Sequence, residues 1–130
     1  MKKTFIIFLF LILLDLSLFG QTKEEIIIKM IDEVTYLASD ELEGRETGTK
    51  SEKLAADYIS SKFKEYNLKT KGEEGYLQYF DAKIKENTHS QTIKKKIKGI
   101  NVVGYIDNQQ KETVVIGAHY DHLGYGHFGS

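Results

Sequence analysis

The chain has 130 residues, room for one domain rather than two, and its 41% hydrophobic and 28% charged content is that of a folding chain. A formal net charge of −1 gives no electrostatic footing for nucleic acid as a partner. Cysteine is absent, which excludes disulfides and thiolate metal sites, so any metal would rest on His, Asp or Glu, ligands suited to zinc and related divalent ions.

Residues 1–20 read as a secretory signal peptide. Lys2 and Lys3 precede an unbroken apolar run over 5–14, Asp15 interrupts it, and Gly20 offers a small residue before Gln21, where cleavage is expected. The run is shorter than the roughly 20 apolar residues of a spanning helix, so no stable membrane insertion is expected after cleavage. Removing two lysines and one aspartate takes the formal charge from −1 to −2. The expected location is outside the cytoplasm, periplasmic or extracellular.

In the mature chain, the three- and four-residue spacing of Ile27, Met30, Ile31, Val34, Leu37 and Ala38 predicts an amphipathic helix over 23–39. Thr22 and Glu25 are placed to form a capping box at its start. Residues 40–49 break the period and form a polar loop in which Gly44 and Gly48 are free to take positive φ. A second helix is predicted over 50–66, burying Leu54, Ala55, Tyr58, Ile59 and Phe63 and stopping at Asn67.

Beyond Gly72 the period becomes alternating. Residues 76–84 predict a strand with Tyr76, Gln78, Phe80, Ala82 and Ile84 on one side. The polar stretch 86–98, containing Lys94-Lys95-Lys96, reads as a solvated turn or exposed edge strand. Residues 101–106 and 113–118 carry the pattern of a β-hairpin with a polar loop between them. Val114-Val115-Ile116 is apolar on successive residues, which predicts a strand buried on both faces within a larger sheet.

The chemistry concentrates in Gly117-Ala118-His119-Tyr120-Asp121-His122-Leu123-Gly124. Ligands gather outside the carboxyl ends of strands in open α/β sheets, and His119 stands at such an end. In extended chain, residues i and i+2 face the same way, so the Asp121 carboxylate can lie beside the His119 ring. A metal-bound histidine usually donates its second N–H to a carboxylate of this kind. The same pair also serves as a plain structural hydrogen bond, and the residues alone leave both readings open. His122 faces away from the pair if the chain stays extended. His127 lies in a loop with Gly124, Gly126 and Gly129, and His89 lies in a polar, exposed stretch.

Three stretches, in order, resemble metallopeptidase family M-28, the co-catalytic di-zinc exopeptidases that include bacterial leucyl aminopeptidases and glutamate carboxypeptidases. They are Leu37-Ala38-Ser39-Asp40-Glu41-Leu42-Glu43-Gly44-Arg45 with Thr47-Gly48-Thr49, then Asn101-Val102-Val103-Gly104-Tyr105, then Val115-Ile116-Gly117-Ala118-His119-Tyr120-Asp121-His122-Leu123-Gly124. The likeness runs from about Ile31 to Ser130. It implies an α/β protein: residues 21–130 would be the N-terminal portion of a peptidase domain with a mixed sheet between helices, the phosphorylase/hydrolase-like fold.

By this resemblance His119 is a zinc ligand and Asp121 the catalytic-site carboxylate that orients it. Two zinc ions would activate a water, a glutamate would act as general base, and the substrates would be peptides, cut at the N-terminal residue. The loop around Arg45 is structural on this reading. In family members a bridging Asp, an adjacent Glu pair, a further carboxylate and a second His follow the His-x-Asp segment. None follows it here, so the expectation is a fragment truncated after the first metal-ligand segment and inactive alone. A carboxypeptidase or glutaminyl cyclase on the same fold, or a non-catalytic ectodomain without metals, are the alternatives.

Overall fold

The computed structural model describes residues 20–85 and 93–125. The expected signal segment up to residue 19, His89 and His127 lie outside the described residues. Among the described residues the protein is a mixed α/β chain of two α-helices, a 3-10 turn and two small antiparallel sheets. No described helix is long and apolar enough to cross a membrane. The chain divides into two units between Tyr36 and Leu37.

All but the last residue of α1, Lys23–Leu37, lies in the first unit, and the helix ends two residues short of the predicted stop. Its start is the expected capping box. The Thr22 N–H donates to Glu25 Oε2 at 2.8 Å, and the Glu25 N–H donates back to Thr22 Oγ1 at 3.2 Å. Two backbone donors that the first helical turn cannot satisfy are thereby paired. Ile27, Met30, Ile31 and Val34, the residues whose spacing predicted the helix, are exposed.

In the second unit a 3-10 turn, Asp40–Leu42, opens the loop that the sequence presents as polar. Leu42 is its anchor and is fully buried, a burial that stabilises by about 1.5–3 kcal/mol. Glu43, Gly44 and Arg45 then take φ of 45°, 69° and 47°, and Gly48 takes 80°. The two glycines do what the sequence asks of them. Glu43 and Arg45 are not glycine and adopt the left-handed region against a cost of about 1–3 kcal/mol each, so something must hold them there.

Helix α2, Lys50–Glu65, starts at Thr49, whose side chain accepts from the Glu52 N–H at 3.2 Å. Glu52 itself is buried and ties three segments together. Its Oε2 accepts from the Gly48 N–H at 2.7 Å and its Oε1 from the Ile100 N–H at 3.0 Å. At the other end Asn67, with φ 59°, closes a Schellman motif. The Asn67 N–H donates to Lys64 O at 3.0 Å and the Leu68 N–H to Phe63 O at 2.9 Å. The buried face of α2 is Ser51, Glu52, Ala55 and Ala56, while Leu54, Tyr58, Ile59 and Phe63 are half-buried. Ala55 is buried as predicted, and the most buried positions lie in the first two turns, where Glu52 bonds the Ile100 N–H of the sheet.

Strand β1, Lys69–Thr70, pairs antiparallel with β4, Gly104–Tyr105. Strand β2, Leu77–Lys85, one residue displaced from the prediction, pairs antiparallel with β3, Ile93–Val102. Phe80 stands opposite Gly99, and its ring occupies the space a Cβ at Gly99 would need. At Gly104 the same is true of Phe63 and Leu68, which lets α2 close over the β4 edge.

The predicted hairpin of 101–106 with 113–118 is not formed. The ladder of β3 is taken by β2 and that of β4 by β1, and no strand occurs over 106–121. Val114, Val115 and Ile116 are 86%, 86% and 93% exposed instead of buried on both faces. Apolar residues in succession encode a demand for cover on both sides, but a strand also needs a hydrogen-bonded neighbour, and among the described residues no strand pairs with this segment.

Candidate functional site

The loop 43–49 and the segment 120–124 are joined side by side in a parallel arrangement centred on Glu46 and His122. The His122 N–H donates to Arg45 O at 3.0 Å, and the Gly124 N–H donates to Gly44 O at 3.0 Å. Arg45 Nε donates to Tyr120 O at 2.6 Å while its Nη1 donates to Leu37 O. This explains the left-handed backbone at Glu43 and Arg45: the turned chain delivers two carbonyls and one guanidinium to the same neighbouring segment. Gly44 has a second reason to be glycine, since a Cβ there would overlap the Gly124 carbonyl. Tyr120 anchors the segment from the other side, its hydroxyl donating to Ile100 O at 2.6 Å.

This clasp presents the His-x-Asp pair. His119 Nδ1 lies 3.0 Å from Asp121 O and 3.5 Å from Asp121 Oδ1. A carbonyl only accepts, so the bonded ring nitrogen carries the proton, and the lone pair belongs to Nε2. The His119 side chain is 86% exposed and that of Asp121 46% exposed, so Nε2 stands open to solvent. The other carboxylate oxygen, Asp121 Oδ2, accepts from Thr47 Oγ1 at 2.9 Å.

Asp121, His122 and Leu123 also form one wall of an open groove of about 410 Å³. Glu46 and Thr47 line it from the loop, and Phe80, Ala82 and Ile97 line it from the β2–β3 sheet. Two carboxylates therefore border an apolar floor. Tyr120 ionises only above the ordinary phenol range, because burial opposes its charged form and the carboxylates of Glu52, Asp121 and Asp57 repel it.

Of the residues predicted for the site, His119 and Asp121 are brought together as their spacing implies. The buried strand expected to deliver His119 is absent, and the clasp positions the pair instead. His122 is exposed and contributes its backbone to the clasp. Among the described residues no group of three or more His, Cys, Asp or Glu converges as metal-holding sites do. Thr47 bonds the Asp121 carboxylate, and Tyr120 ties the segment that carries the pair to Ile100 and Arg45; nothing in their local sequence announces either role, since each partner lies far along the chain. The run Gly44-Arg45-Glu46-Thr47 within the first resembling stretch is the one signal that could have directed attention there. Compared with models of known protein families, with curated proteins and with solved structures, the chain matches none of them.

Proposed function

We propose that this chain carries the first metal-ligand segment of an exported zinc exopeptidase, an aminopeptidase acting on peptide N-termini, built on the phosphorylase/hydrolase-like fold. The observation that supports the reading is the state of His119: its Nδ1 is engaged by Asp121 while Nε2 faces solvent. That is the posture of a histidine prepared for a metal, with its tautomer and ring orientation fixed from behind. An imidazole nitrogen and a nearby carboxylate also suit zinc chemically. When bound, zinc supplies Lewis acidity toward a carbonyl and an acidified water.

The chain's own residues supply the rest. His119 offers Nε2, Asp121 holds the ring proton on Nδ1 and adds negative charge behind it, and the clasp keeps both from wandering. A catalytic zinc is held by about three protein ligands, so the proposed centre draws further ligands from outside the His119–Asp121 segment.

The test has two parts. Reading the coding DNA in frame past Ser130 is expected to reveal an Asp, an adjacent Glu pair, a further carboxylate and a distal His. The protein of that reading frame, loaded and dialysed, is expected to retain zinc and to release N-terminal residues from peptides, and to lose both properties in His119→Ala. Zinc stoichiometry near zero after loading would sink the proposal.

A further inference from the structure

The proposed function uses His119 and Asp121 and leaves unexplained why the loop reaches across to the carboxylate. Thr47 Oγ1 donates to Asp121 Oδ2 at 2.9 Å, a contact between residues 74 apart in sequence. The same carboxylate turns Oδ1 toward His119 Nδ1 at 3.5 Å. Asp121 is about half exposed, so without a partner its carboxylate would turn among rotamers in water. Backbone bonds on either side, from His122 N–H to Arg45 O and from Arg45 Nε to Tyr120 O, fix the main chain of this segment but not the Asp121 side chain.

We propose that Thr47 is a positioning residue for the candidate site. Its hydroxyl holds one carboxylate oxygen of Asp121, so that the other stays beside the His119 ring, whose Nδ1 donates to the Asp121 main-chain carbonyl at 3.0 Å, and keeps negative charge behind the imidazole. The role requires a hydroxyl at this position, and serine would meet the requirement while valine, of nearly equal shape, would not. This inference rests on the metal reading for its purpose but not for its geometry, and the experiment separates the two.

In the protein of the full reading frame the variants are Thr47→Val, Thr47→Ala and Thr47→Ser, the alanine change serving if valine disturbs the fold. Two quantities are read: the Hα–Hβ couplings of Asp121 by NMR, which report whether its side chain keeps one rotamer, and affinity for Zn²⁺ alone by competition with a chromophoric chelator. The wild type and T47S are expected to show a single Asp121 rotamer and the same zinc affinity. T47V and T47A are expected to show averaged couplings and affinity lower by about 10-fold, the lower end of what loss of a group supporting a metal ligand costs. Their thermal midpoints are expected to stay near that of the wild type, which a merely structural role would not allow. A fixed Asp121 rotamer in T47V and T47A overturns the inference, as does an averaged rotamer with unchanged zinc affinity, or failure of T47S to restore both. If the wild type itself binds no zinc, the metal reading falls, and the couplings alone still decide whether Thr47 holds Asp121.

Discussion

Tyr120 sits between the two residues of the candidate pair, and its hydroxyl is spent on Ile100 O at 2.6 Å. Burial, and after it the charge of Glu52, Asp121 and Asp57, raises its pKa from the ordinary 10.0. An acid whose folded pKa is raised keeps its proton in the native state while the unfolded state releases it. The stability it contributes is therefore fully present below pH 10.0 and is lost as pH rises above that toward the folded value. Urea denaturation of wild type and Tyr120→Phe at pH 8 and pH 11 checks this. The wild type is expected to lose more stability than the variant between the two, and equal losses would show that Tyr120 does not report on the alkaline limb. A different arrangement holds at Glu52, where one buried carboxylate serves two backbone N–H groups from two segments. Neither residue could be singled out from sequence, because the Ile100 carbonyl that Tyr120 uses and the Ile100 N–H that Glu52 uses belong to chain that only folding brings near.

Among the elements, the clasp is the feature with the sharpest dependence on one position. Gly44→Ala adds a Cβ at φ 69° directly against the Gly124 carbonyl, where backbone, not a movable side chain, receives it. The expected result is release of residues 120–124 with β2 and β3 left paired. ¹⁵N relaxation order parameters are expected to fall at His122 and Gly124 and to hold at Ile97 and Ile100. The helices were legible because their signals are local: the apolar spacing runs along each one, and Thr22 with Glu25 and Asn67 lie within four residues of what they cap. Strand β2 was legible from its alternation. The partner of β3 was not, because its lysine-rich first half imitates a turn and its apolar second half fits a hairpin as well as it fits β2. Pairing is settled by which backbone is free and close, and periodicity carries no record of that.

At the scale of the whole molecule, the second unit rests on a small core of Leu42, Ala55, Ala56, Ile97 and Ile100, while Val114, Val115 and Ile116 stand almost fully exposed. An extended, unpaired apolar segment is a template for pairing with another chain. The protein as described is expected to self-associate with rising concentration, and Val115→Lys, which adds charge in the middle of this exposed run, is expected to shift it toward monomer. Light scattering across a concentration series measures this, and identical association in both would place the sticky surface elsewhere. The position of His119 was legible from its motif, but not the means of holding it, since the predicted strand 113–118 gave way to a clasp made by residues about 75 positions earlier.

That separation sets an order of events during synthesis. At a translation rate of roughly 5–20 residues per second, the loop carrying Glu43, Gly44 and Arg45 leaves the ribosome some 4–15 s before residues 120–124 follow it out. Through that interval the loop has nothing from the later segment to offset the cost of about 1–3 kcal/mol each of the left-handed backbone at Glu43 and Arg45. Its working shape is acquired only when the His119 segment arrives, so the instruction to form the site and the material of the site are delivered together.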